Sequence, residues 1–220
     1  MKMKPSCHHG DALTLLDVLV LIAIVMVLGF LLLVIFPRPD AERKVQKITC
    51  LNNLKQIGLS HRIWEGDNND TFPMGVSVNS GGAMEMVQTG NAVMPFLVMS
   101  NELSTPKLLC CPNDRERVTA TTFGGLSNSN ISYFTGADVR RDDDARLILS
   151  GDSNFEIGGK PVKSGLLSVW TNDPIAWTTS RHKGAGYVGF ADGSAQQEDK
   201  ASLQSCFTRT GIATNRLAIP

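Results

Sequence analysis

Apolar positions follow three regimes along the chain. From Leu13 to Phe36 they run almost without interruption, broken by one carboxylate at Asp17, and Val18 to Phe36 is nineteen residues without a charge. At 1.5 Å per residue that is roughly 28 Å of helix, about the hydrocarbon thickness of a bilayer, so the pattern predicts a membrane span. A cleaved secretory signal has a shorter apolar core that ends in small residues, whereas this run closes on Val34-Ile35-Phe36-Pro37-Arg38. After Pro37 and Pro39 the pattern changes. Val45, Ile48, Leu51, Leu54 and Ile57 recur every third position between Ala41 and Trp64. Each step falls about 60° behind the last, so the stripe winds round the helix, which is then contacted on more than one side. Asp67-Asn68-Asn69-Asp70 and Phe72-Pro73 read as the turn that ends it.

The third regime is short and interrupted. Gly75 to Ser104 is rich in Gly, Asn, Ser and Met, which predicts a surface loop with a short helix near Ala92 to Leu103. Strands are expected at Ile131–Phe134, Arg146–Ser150, Gly165–Trp170, Tyr187–Ala191 and Ala195–Glu198. Asp192-Gly193 between the last two predicts a tight hairpin, because both residues tolerate left-handed backbone. The fold class is α+β: a long N-terminal helix, membrane-spanning in its first half, on a small antiparallel sheet. The segments are a leader at 1–12, the spanning helix at 13–36, its amphipathic continuation at 37–66 and an α+β head at 67–220.

Charge removes one class of partner. The chain carries 21 basic and 21 acidic residues, so it has no electrostatic footprint for nucleic acid. Cys7 lies in the leader, leaving Cys50, Cys110, Cys111 and Cys206 in the body. Neighbours such as Cys110 and Cys111 bond each other only with strain. A bridge from one of them to Cys50 or Cys206, or buried free thiols, are the open alternatives. Cys110-Cys111-Pro112-Asn113-Asp114 has neither CxxC spacing nor a histidine at ligand spacing, so zinc is not expected. His182 and Asp192 could act as base and orienting acid for Ser180 or Cys111. Nothing in the sequence demonstrates that triad, and a structural hydrogen bond is the expected role of both residues. Calcium is a minority alternative at Asp138 to Asp144 and Asp152, although Arg140-Arg141-Asp142-Asp143-Asp144 lacks the alternating ligands and central glycine of an EF-hand loop.

The leader carries a resemblance. A basic segment with Lys2 and Lys4, a small residue at Ala12, then Leu13-Thr14-Leu15-Leu16-Asp17 and a long apolar helix is similar to the prepilin-type segment of type IV pilins and type II secretion pseudopilins. The resemblance implies cleavage between Ala12 and Leu13 by a membrane prepilin peptidase and N-methylation of Leu13. Asp17 is then the fifth mature residue, where the family carries a carboxylate. The family usually has Gly, Phe and Glu where this chain has Ala12, Leu13 and Asp17.

Two further stretches are similar to one pseudopilin-like subfamily. Cys50 to Leu59 resembles the end of its long helix. His182, nine residues and Asp192-Gly193, preceded by Cys111-Pro112-Asn113-Asp114, matches its C-terminal pattern. The resemblance implies a structural subunit and not an enzyme, with no catalytic residue and no resident cofactor. It would assemble through its N-terminal helix with identical or related subunits into a type IV pilus or type II secretion-like filament. Asp17 would pair with the α-amino group of a neighbouring subunit and set register. The implied location is the bacterial inner membrane, single-pass, with the N-terminus cytoplasmic and the head periplasmic or extracellular. Counting Arg38, Arg43, Lys44 and Lys47 against Lys2 and Lys4 favours the opposite orientation, so this expectation rests on the resemblance. The alternative is a signal-anchored protein whose outer domain binds a ligand or partner without polymerising.

Overall fold

A computed structural model describes residues 14–35, 39–141 and 144–220. The chain divides into two compact units, Met1–Arg43 and Lys44–Pro220. In the first, helix α1 (Leu15–Ile35) carries one acid, Asp17, in its first turn and is otherwise without charge, and none of Leu15–Leu32 is buried within the protein. By length and composition it can cross a membrane. Helix α2 (Pro39–Asp67) starts with proline at its first position, where the missing N–H costs no hydrogen bond. It ends where Asn69 and Asp70 take left-handed backbone and the Asn68 side chain donates to Trp64 O at 2.7 Å, the turn expected from the asparagine–aspartate cluster.

From Lys44 onward α2 buries Cys50, Asn53, Leu54, Ile57, His61 and Trp64. Leu51 is half-buried, while Val45, Ile48, Leu59 and Ile63 are exposed. The winding stripe is therefore split: its later half is core and its first residues face away from it.

The segment after α2 carries helix where it was expected, near Ala92 to Leu103, and corrects the rest of the sequence reading. It is not a surface loop. Short helices α3 (Met84–Gln88), α4 (Met94–Val98) and α5 (Ser100–Leu103) alternate with 3-10 turns and fully bury Phe72, Met74, Ala83, Val87, Ala92, Phe96 and Met99. Gly75, Gly82 and Gly90 serve close packing: at Gly90, with φ +87°, a Cβ would lie 2.1 Å from Leu166 N.

The strands are β1 (Tyr133–Gly136), β2 (Ile148–Asp152), β3 (Phe155–Ile157), β4 (Lys160–Pro161), β5 (Gly165–Trp170), β6 (Ile175–Trp177), β7 (Gly186–Phe190) and β8 (Ala195–Glu198). Helix α6 (Lys200–Arg209) and strand β9 (Thr214–Ile219) follow. All pairings are antiparallel; the main sheet has the order β5-β9-β1-β2-β7-β8, and β4-β3-β6 form a second. Adjacent residues serve opposite faces. Tyr133 and Tyr187 join the core around α2, while Phe134 and Val188 join the one containing Phe155, Trp177 and Phe207 of α6. With both faces covered, β1, β2 and β7 are buried throughout and lose the alternation of a half-exposed strand. The protein is α+β with antiparallel sheets.

Candidate functional site

The motif residues gather where α2 meets the sheet. Cys50 on the buried face of α2 is disulfide-bonded to Cys111, 61 residues away, and both are essentially unexposed. The Cys111-Pro112-Asn113-Asp114 turn closes on itself through Asp114 N–H donating to Cys111 O at 2.8 Å. Ser132 locks it to the sheet, accepting from Cys111 N–H at 2.9 Å and donating its hydroxyl to Asp114 Oδ2 at 2.7 Å. Arg181 pairs with Asp114 and donates to Ser132 O at 2.9 Å, so both charges are buried yet matched.

His182 enters from the other side. His182, Lys183 and Gly184 all have positive φ, at 44°, 57° and 82°, an uncommon conformation for the two non-glycine residues. That turn carries the imidazole inward, edge-on to Tyr187 with centroids 4.9 Å apart. Its Nε2 lies 3.3 Å from Cys111 Sγ and 3.6 Å from Asp152 Oδ2, and its Nδ1 is 3.0 Å from Asn113 Nδ2. Burial, followed by the charges of Arg181 and Lys47, holds the imidazole down to about 4, so it is neutral near pH 7. Asp152, at the end of β2, accepts from Tyr187 N–H at 2.9 Å through Oδ2, while Oδ1 has no partner. Burial pushes its carboxyl up to about 7 against the pull of Arg181 and that N–H. Cys50, Cys111 and His182 bring two sulfurs and a ring nitrogen within 4.8 Å of one another.

Asp192 and Gly193 do a different job. Asp192 Oδ1 accepts from Ser194 N–H at 2.8 Å, and Gly193 has φ +82°, which makes the hairpin between β7 and β8. The hairpin tip rests on Gly58 of α2, where a Cβ would come within 3.0 Å of Gly193 O. The carboxylate beside His182 is thus Asp152, not Asp192, and the Ser180 hydroxyl is paired with Thr178 Oγ1 at 2.8 Å.

No family model matches the chain, and no curated protein or solved structure matches it. The site has to be read from its own geometry.

Of the four body cysteines, Cys110 and Cys206 are buried free thiols, Cys206 on the core-facing side of α6. Ala12 and Leu13 lie outside the described residues, as do Asp142 and Asp143 of the acidic loop. The remaining loop carboxylates are taken by arginines, Asp138 by Arg216 and Asp144 by Arg146. Asp17 has a local role that the sequence reading overlooked. Its Oδ2 accepts from Thr14 N–H at 2.9 Å and Thr14 Oγ1–H at 2.7 Å, while Asp17 N–H donates back to Thr14 Oγ1 at 3.3 Å. This is a capping box at the start of α1, legible as Thr-x-x-Asp. Arg181 and Ser132 were also overlooked, and Asn113 was named only as a motif position and not as a partner of His182. The only sequence signal of Arg181 and Ser132 is adjacency to His182 and Tyr133.

Proposed function

We propose that the chain is a pilin-like structural subunit, trimmed at Leu13 by a prepilin peptidase and assembled through its N-terminal helix with copies of itself or related subunits. The observation that carries this reading is a row of exposed aliphatic side chains on α2, interrupted by Asn52 and set opposite its buried face. At about 100° per residue, Val45, Ile48, Leu59 and Ile63 fall within about 60° of one another, opposite the buried arc of Leu54, Ile57, His61 and Trp64. A mere anchor gains nothing from exposed aliphatic side chains there, whereas a neighbouring helix would cover them. The Cys50–Cys111 bond, the Asp114–Arg181 pair and the Gly58–Gly193 contact then hold α2 on the head, and the chain works as scaffold and not as enzyme.

Asp17 acts twice in this reading: it caps α1 within its own chain and offers its charge to the α-amino group of a neighbour. Asp17→Ala removes both functions and Asp17→Asn keeps only an acceptor for Thr14. Both variants are expected to insert into the membrane and to lower filament yield at least tenfold. Restoration by Asn would reduce Asp17 to a cap, and normal yield from both would remove the assembly role. Mass spectrometry of the mature N-terminus separates the alternative: a methylated Leu13 supports the subunit, an intact Met1 the non-polymerising anchor.

That alternative has one observation of its own. A cavity of about 410 Å³ is lined by Arg117, Asn154, Ser180 and Arg181, and neither side-chain amide atom of Asn154 has a partner.

A further inference from the structure

The Cys50–Cys111 bond lies among donors that a disulfide does not need. His182 Nε2 is 3.3 Å from Cys111 Sγ, and Asp152 Oδ2 is 3.6 Å from the same nitrogen. Asp152 is fully buried, with Oδ1 unpartnered. We propose that the reduced chain binds one zinc-class divalent ion through Cys50 Sγ, Cys111 Sγ, His182 Nε2 and Asp152, in place of the disulfide.

Four donors at about 2.0–2.3 Å from a tetrahedral ion stand roughly 3.3–3.8 Å from one another. His182 Nε2 already stands at that spacing from Cys111 Sγ and from Asp152 Oδ2; the two sulfurs must part, and the Asp152 carboxylate, outside the 4.8 Å cluster of Cys50, Cys111 and His182, must swing towards them. Two thiolates select a soft or borderline ion over calcium or magnesium. The surroundings supply the outer support such sites require. Asn113 meets Nδ1 of His182 at 3.0 Å, and its amide, turned to accept from Nδ1–H, leaves the Nε2 lone pair free for the ion. Tyr187 N–H orients the carboxylate at 2.9 Å.

The exchange balances. A dithiol reductant supplies two electrons and two protons to the disulfide and becomes a disulfide itself; the ion then displaces the two thiol protons to solvent. A newly made chain, still reduced, needs only the second step. The spacing rule excluded zinc because it looks for neighbouring ligands, and here the fold assembles them from α2, the Cys-Pro-Asn-Asp turn, β2 and the turn before β7.

Cobalt tests the site. The full chain in detergent micelles, carrying Cys110→Ser and Cys206→Ser, is reduced with a phosphine and titrated with Co²⁺. The expected result is one Co²⁺ per chain, with thiolate-to-cobalt charge transfer, tetrahedral visible bands and displacement by Zn²⁺. Cys50→Ser/Cys111→Ser should abolish the bands, His182→Ala and Asp152→Asn should shift them and weaken binding at least tenfold, and Asn113→Ala should weaken it by about 10–100-fold. The oxidised chain should not bind. Near-ultraviolet circular dichroism follows the fold, and Zn²⁺ should return the reduced chain to the oxidised signal. Absence of the bands, equal binding by the oxidised chain or the double-serine variant, or binding without recovery of that signal would each overturn the proposal. None of these readouts depends on whether the chain polymerises.

Discussion

His61 sits on the buried face of α2, its Nδ1–H donating to Ile57 O at 2.9 Å and its ring edge-on to Phe72 at 5.8 Å. Nε2 has no partner, and burial lowers the imidazole to about 4 against the raising effect of the Ile57 carbonyl. Below pH 6.5 the unfolded chain takes up a proton that the native state refuses. Stability is therefore fully present above about 6.5 and declines as pH falls towards about 4, by ~3 kcal/mol for this residue. His61→Gln is expected to remove that share, so the wild-type-minus-variant difference in unfolding free energy should rise with pH across that window. Equal slopes by chemical denaturation would show that His61 is not the group responsible. The same scale shows where sequence reading stopped. The sequence offered Asp192 as a carboxylate that could orient His182, a pairing it did not demonstrate, and the hairpin keeps Asp192 for its own turn while Asp152 lies beside the histidine. Only the pairing of β2 with β7 makes that meeting possible, and pairing is not written in local spacing.

Helix α2 meets the β7–β8 hairpin at Gly58, in mid-helix where glycine ordinarily weakens the structure by about 1 kcal/mol relative to alanine. The reason is the backbone of Gly193 across from it. Gly58→Leu should push α2 off the β7–β8 hairpin and destabilise the head by about 1–3 kcal/mol, read as a lower denaturant midpoint at unchanged slope. An unchanged midpoint would mean that the contact is slack. Elements with strong local signals were legible: α2, the Asp192-Gly193 hairpin, and β5 and β8 to the residue. Strands β3, β4, β6 and β9 were not, nor was α6, although Asp199 and Ser202 form a capping box at its start. β3, β4 and β6 are only two or three residues long, too short for periodicity to register. The glycine-rich stretch before β1 was misread because its glycines permit close packing as readily as loops.

Across the whole head, the Cys50–Cys111 bond is the longest covalent constraint, closing a loop of 61 residues between α2 and the turn that Ser132 holds to the sheet. Chain-entropy arguments give such a loop about 4 kcal/mol. Reduction in a chelator, or Cys50→Ser/Cys111→Ser, should lower the unfolding free energy of the head by about that amount. A loss below 1 kcal/mol would indicate that burial alone holds α2 in place. Strand order has a different consequence. β9, residues 214–219, lies between β5 and β1, so the sheet is closed by its last strand in sequence. Among the described strands β5 pairs with the main sheet through β9 alone, so it has no partner there until residues 214–219 are in place. A chain that stops short of Thr214 leaves β5 with no neighbour in the main sheet and β1 paired with β2 alone, so the sheet is completed only when β9 docks.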